Sequence, residues 1–249
     1  MDFNYLQKLN YNNLRKIGED MGISIPKKKE ELIQNILICF REYEEYKKEK
    51  IDKYTKIKQI GNEGKEGITY LVKTKDNQKF AMKTFRKTKS SAKIKLEADL
   101  QHRASLLGIA PKVIDIDTVS KYIVMEKLDV HLVDVMKKQN GNLVEEQQKE
   151  IIDIFIKLDE SCVFQGDSNI LNYMYKDQKL YIIDFGMAKL IDDKLKKKLK
   201  TEKPNFTIMN LGFILKLKEL NCPETSYSHL LTHVSDENKI KYGLTINKK

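Results

Sequence analysis

Apolar positions in the first forty residues recur at helical spacing. Leu14, Ile17 and Met21 fall on one face, Ile23 and Ile25 fill a short extended piece, and Leu32, Ile33 and Ile36 form a second helical face. Asn10 can cap the first helix, and Gly22 suits its C-terminal turn. Residues 41–58 are charged, with Tyr43, Tyr46 and Tyr54 at irregular spacing, and predict a linker helix. From about Tyr54 the pattern shortens to strands: YTKIKQI, ITYLVKT and KFAMKTF, with Gly61, Gly64 and Gly67 in the first turn and Asp76-Asn77 in the second. Three consecutive antiparallel strands are expected. Over residues 91–107, Ile94, Leu96, Leu100, Ala104 and Leu107 lie near helical spacing, and Gly108 followed by Pro111 stops the helix. PKVIDIDTVSKYIVMEKL supplies two more strands. Helices follow over residues 132–138 and 145–162, then a loop, FQGDSNILN, and short strands around Tyr173 and over residues 180–183.

Five strands with one helix, then a mainly helical half, predict an α+β fold in two lobes. The boundaries read from the pattern are a helical module over residues 1–40, a linker helix over 41–53, and a two-lobed domain over 54–249 that divides after residue 127. At 249 residues the chain can bury one good-sized core plus a small appendage. Its 41% hydrophobic and 33% charged content fits a soluble globular protein. No stretch approaches the ~18 consecutive apolar residues of a membrane helix, and no membrane partner is expected. The N-terminus lacks the basic-then-apolar layout of a signal peptide, so an intracellular location, cytoplasm or nucleus, is expected. Cys39, Cys162 and Cys222 are far apart and have no metal-ligand spacing, which argues against a zinc site or a disulfide framework. The formal charge of +10 permits an anionic partner such as nucleic acid, although lysine excess alone is usually a solvated surface.

The candidate chemistry begins at GNEGKEG. A glycine-rich turn lets backbone N–H groups approach phosphates, but any tight strand-to-strand turn can look like this. The order of the other elements makes the pattern specific: Ala81-Met82-Lys83 on a strand, Glu97 on the next helix, Asp167 and Asn172 in one loop, and Asp184-Phe185-Gly186 after a strand. Each alone has an ordinary reading, an ion pair or a turn. Together, over about residues 54–200, they resemble the protein-kinase signature set.

The resemblance implies ATP and magnesium (Mg2+) as cofactors. Lys83, kept in place by Glu97, would hold the α- and β-phosphates, and Asp184 and Asn172 would carry the metal. Asp167 would orient the attacking hydroxyl and accept its proton. Ile60, Gly61, Gly64 and Gly67 would roof the nucleotide. Thr69, Ala81 and Leu128 would enclose the adenine with Met125 behind it, and the backbone of Glu126 and Leu128 would bond its edge. Core packing is the rival reading for the apolar positions.

Departures from the ordinary pattern narrow the resemblance. The glycine spacing is one residue longer than usual, and Gln165-Gly166-Asp167 stands where most protein kinases have His-Arg-Asp. The segment LEADLQHRASLLGIAPKVIDID is similar to the small kinases of the tRNA threonylcarbamoylation machinery, and compact kinases of large DNA viruses share such features. If the chain is viral, a virion location joins the intracellular ones. The expected activity is phosphoryl transfer to Ser or Thr of a protein substrate. The alternatives are an ATPase or kinase subunit of a tRNA-modifying assembly and a non-catalytic pseudokinase, the latter disfavoured because every catalytic carboxylate is present.

Residues 9–36 resemble the SAP motif, a helix-extended-helix DNA-binding fold. The start of its second helix presents free N–H groups beside Lys27, Lys28 and Lys29, an arrangement that favours a phosphate backbone. Acidic residues nearly offset the basic ones. A helical hairpin for protein contacts is therefore the rival, and RNA stays open beside DNA.

Overall fold

The computed structural model describes residues 2–51, 53–61, 63–64 and 66–244. Contacts divide the chain into two units, Met1–Lys56 with Lys73–Gln78, and Ile57–Val72 with Lys79–Lys249. In the first unit, helix α1 (Phe3–Lys8) is capped by Asp2, whose side chain accepts from the Tyr5 N–H. Helix α2 (Tyr11–Asp20) is capped by Asn10 as expected, its side chain accepting from Asn13 N–H at 2.9 Å. Helix α3 spans Lys29–Ile51. Leu6, Leu14, Leu32, Ile33, Ile36 and Leu37 are buried together, with Ile17, Met21, Ile23 and Ile25 packed against them.

Helix α1 adds Leu6 to a core read as two helices, which corrects that reading, while the helix expected after residue 40 is present as a continuation of α3 to Ile51. The reason is visible in the residues that follow Phe40: a run of Arg, Glu and Lys without glycine or proline propagates a helix and gives no stop.

From Thr55 the chain forms a five-stranded sheet, β1 (Thr55–Gln59), β2 (Gly67–Lys73), β3 (Lys79–Phe85), β4 (Val113–Asp117) and β5 (Tyr122–Glu126), in the order β1-β2-β3-β5-β4. Strands β3 and β4 both pair antiparallel with β5. Helix α4 (Ser91–Leu106) lies between β3 and β4 in sequence and is capped by Ser90. Its buried residues are Ile94, Glu97, Ala98, Leu100, Gln101, Ala104 and Ser105. Leu96 and Leu107, expected among them, are 49% and 39% exposed. The buried face carries a glutamate and a glutamine, which a count of apolar positions cannot register.

The mainly helical half follows, with β6 (Val130–His131), α5 (Leu132–Lys138), α6 (Glu145–Glu160), β7 (Val163–Phe164), β8 (Tyr173–Lys176), β9 (Lys179–Ile182) and β10 (Lys189–Leu190). Strands β6, β8 and β9 form one small sheet in that order, and β7 pairs with β10. Helices α7 (Asp193–Leu199), α8 (Asn210–Glu219), α9 (Ser228–Leu231) and α10 (Asp236–Lys241) complete it. Its core is aromatic at the centre: Phe155, Tyr173, Phe185 and Phe213 are all buried, with the Tyr173 and Phe213 rings edge to face at 5.2 Å. The chain is thus mixed α+β. Among the described residues no helix is long and apolar enough to cross a membrane, and all three cysteines are free, Cys162 exposed.

Candidate active site

Side chains alternate along a strand, so Ala81 and Lys83 share one face of β3, and Met125 stands across from Ala81 on β5. The Lys83 ammonium lies 2.7 Å from Glu97 Oε1 and 2.7 Å from Asp184 Oδ1. Lys83 and Glu97 are 14% and 3% exposed; the Lys83 charge is balanced by Glu97 and Asp184, and the Glu97 charge by Lys83 and by Lys89 at 2.5 Å. Burial opposes the Lys83 charge, but the two carboxylates, Glu97 first, outweigh it and hold the ammonium above its ordinary pKa. Burial likewise pushes the Asp184 carboxyl up, and the Lys83 ammonium more than reverses this, holding it below its ordinary value.

The loop after β7 brings the remaining carboxylate to the same region. The Gln165 side chain donates from Nε2 to the Asp184 carbonyl at 3.1 Å and accepts from Asp167 N–H at 2.7 Å. A single buried glutamine thereby ties the Asp167 loop to the Asp184 turn. Asp167 Oδ1 accepts from Asn169 N–H, and Oδ2 from the Asn172 amide at 3.0 Å. Asn172 is 6% exposed, and its backbone carbonyl accepts from Ile183 N–H, one residue before Asp184. Gly166 sits at φ 79°, and a Cβ there would lie 3.1 Å from the Met187 carbonyl oxygen. An arginine is thus disfavoured at this position both by backbone conformation and by space. Asp184 itself is at φ 61°, a strained setting of the kind that collects at functional sites.

Between the five-stranded sheet and Met174, Ile183 and Asp184 lies a cleft of about 170 Å³, whose described lining does not include Asp167 or Asn172. Ile60, Gly61, Thr69, Ala81, Lys83, Met125, Glu126, Leu128 and Asp184 all line it. Gly64 and Gly67 are absent from the described lining. Gly64 N–H closes the turn onto the Gly67 carbonyl, and Gly67 packs against β3. The lining also includes Gln101, His131, Met174 and Ile183, which sequence reasoning missed. Met174 and Ile183 could have been found from their places flanking Asn172 and Asp184. Glu66 and Lys89 were missed too, although both are charged residues adjoining Gly67 and α4.

These residues fit the implied groups. The Leu128 N–H donates to no acceptor among the described residues, while Glu126 N–H is already given to the Lys112 carbonyl. The Glu126 carbonyl and the Leu128 N–H are therefore the edge an adenine would meet. The buried His131 Nδ1 has no partner among the described residues and lines the same cleft. For magnesium the donors are hard oxygens, the Asp184 carboxylate and the Asn172 amide, which suits that ion.

In the N-terminal unit Lys27 and Lys28 are exposed at the start of α3. Lys29 differs: its ammonium donates to the Gln7 carbonyl at 2.9 Å, bracing α3 against the end of α1. No protein-family model matches this chain, and no curated protein matches it.

Proposed function

We propose that this chain is an ATP- and magnesium-dependent phosphotransferase of the protein-kinase fold that transfers the γ-phosphoryl group to Ser or Thr hydroxyls of a protein. The observation that carries the reading is the position of Lys83 Nζ, 2.7 Å from both Glu97 and Asp184, with Asp167 and Asn172 paired in a loop tied to Asp184 through Gln165. Lys83 is an ammonium held ready for phosphate oxygens, and Glu97 fixes where it points. Asp167, its carboxylate oriented by Asn172 and by Asn169 N–H, receives the acceptor's proton. Magnesium, when bound by Asp184 and Asn172, supplies positive charge against the developing charge on the phosphoryl oxygens. Two exposed lysines beside a helix start support nucleic-acid binding, DNA first, by the N-terminal unit.

The test is incubation with labelled ATP and generic basic proteins, with and without a tRNA-modifying partner. Label on Ser or Thr is expected, and Asp167→Ala should lower turnover ~10²-fold or more. Lys83→Ala and Asp184→Ala should nearly abolish transfer. Retained magnesium-dependent transfer in Asp184→Ala would refute the metal assignment. ATP hydrolysis seen only with the tRNA-modifying partner would replace the protein-kinase reading with the assembly one.

A further inference from the structure

Beside the cleft, next to Lys83, Glu97 and Asp184 of its lining, the fold holds more charge than the four-part constellation requires: Glu66, which lines a neighbouring pocket with Glu97 and Gly186, and Lys89. Lys89 lies between β3 and α4 with its side chain 8% exposed, and its ammonium is 2.6 Å from Glu66 Oε2 and 2.5 Å from Glu97 Oε2. The same Glu66 oxygen is 4.0 Å from Lys83 Nζ. A Cβ on Gly186 would lie 2.2 Å from it, so the carboxylate rests against the Asp184-Phe185-Gly186 turn. One anionic oxygen therefore stands within reach of two ammoniums and beside the turn that carries Asp184. That is a prepared seat for an anion, and the chain fills it with its own side chain.

Charge and mobility both bear on what this contact does. Two lysines, Lys83 and Lys89, face three carboxylates, Glu66, Glu97 and Asp184, an excess of one negative charge where a polyphosphate would have to enter. Glu97 is buried and cannot leave, whereas the Glu66 side chain is 42% exposed. The Glu66 backbone is held, its carbonyl accepting from Arg86 N–H at 2.9 Å. Rotation of the side chain alone is enough to empty the seat.

We infer that Glu66 is a displaceable plug of the phosphate site and Lys89 a second phosphate-binding lysine, so that a nucleoside triphosphate enters by exchanging the Glu66 carboxylate for a phosphate oxygen between Lys83 and Lys89. The inference rests on the nucleotide reading above. The experiment is calorimetric titration of the full chain with adenosine and with ATP, for the unaltered protein, Glu66→Gln, Lys89→Met and the double variant. Glu66→Gln should tighten ATP about tenfold and leave adenosine within about twofold, the scale of one charge-assisted contact. Lys89→Met should weaken ATP about tenfold with adenosine again unchanged, which reports an intact adenine site. In the double variant the gain from Glu66→Gln should largely vanish. Unchanged or weaker ATP binding in Glu66→Gln, or an equal change for adenosine, would overturn the plug while the nucleotide reading stands. If the unaltered protein binds neither ligand, the nucleotide reading fails and the plug with it.

Discussion

A Cβ placed on Gly67 would meet the Thr84 carbonyl oxygen at 1.9 Å, whereas one on Gly64 would meet only the Gly67 carbonyl oxygen at 3.7 Å. Two glycines that look alike in GNEGKEG thus have different physical tasks. Gly67 lets β2 lie against β3 and so fixes the strand that carries Lys83. Gly67→Ala must push the strands apart, and a loss of about 1–3 kcal/mol is expected in chemical denaturation, the range for overpacking. Gly64→Ala should stay within about 0.5 kcal/mol, the usual range for a surface change. Equal effects at the two positions would show that strand packing does not separate them. The residues with a fixed chemical identity, Lys83, Glu97, Asp167, Asn172 and Asp184, were legible from their order in the chain. Glu66, Lys89 and Gln165 were not, because their roles come from contacts across the fold: Glu66 and Lys89 are 23 positions apart and meet at 2.6 Å.

At the scale of elements, the segment after Asp184 is held at both ends by the residues that flank the Asp167 loop. At one end β10 pairs with β7, and Ile191 N–H donates to the Cys162 carbonyl at 2.8 Å. At the other, the Asn205 side chain donates to the Val163 carbonyl at 2.7 Å and accepts from Gln165 N–H at 3.1 Å. Asp159 accepts from the N–H groups of Asn205 and Phe206 and closes the network. None of these bonds needs a phosphate. In many protein kinases an arginine before the catalytic aspartate recruits one to order this segment, but here that position is Gly166, and residues 187–200 contain no hydroxyl side chain. The proposed kinase should therefore be active without phosphorylation. Untreated protein, phosphatase-treated protein and Thr201→Ala should transfer phosphate to one substrate at similar rates, and a large fall in either altered sample would refute constitutive assembly. Strand β3 and helix α5 fall where the pattern put them, whereas β7, β10 and the helices after Asp184 were not read from the sequence. The hydrogen bonds that anchor the segment were not legible either, since no sequence period encodes a side chain reaching a carbonyl 42 residues away.

At the scale of the whole chain, the N-terminal unit has its own hydrophobic cluster, built on Leu6, Leu14, Leu32 and Ile36. The helix-extended-helix pattern was legible, but its end was not, because α3 meets no stop signal between Phe40 and Ile51. A deletion of residues 1–40 would cut that helix in two, whereas removal of residues 1–53 takes α1, α2 and α3 whole and stops before β1. The shorter protein should keep the proposed ATP-dependent transfer to a peptide and lose the proposed DNA affinity. The lysines divide by role as well. Lys27 and Lys28 are exposed and available to phosphates, while Lys29 is occupied at the Gln7 carbonyl. If each free lysine neutralises one phosphate, the plot of log affinity against log salt should lose about 0.9 of slope per lysine, so Lys27→Ala with Lys28→Ala should flatten it by about 1.8. Lys29→Ala should instead lower the thermal stability of the unit with little change in slope. Binding titrations over a salt series separate these outcomes: an unchanged affinity after the deletion rejects the DNA-binding role, and a slope that falls equally for Lys29→Ala rejects the division of labour among the three lysines.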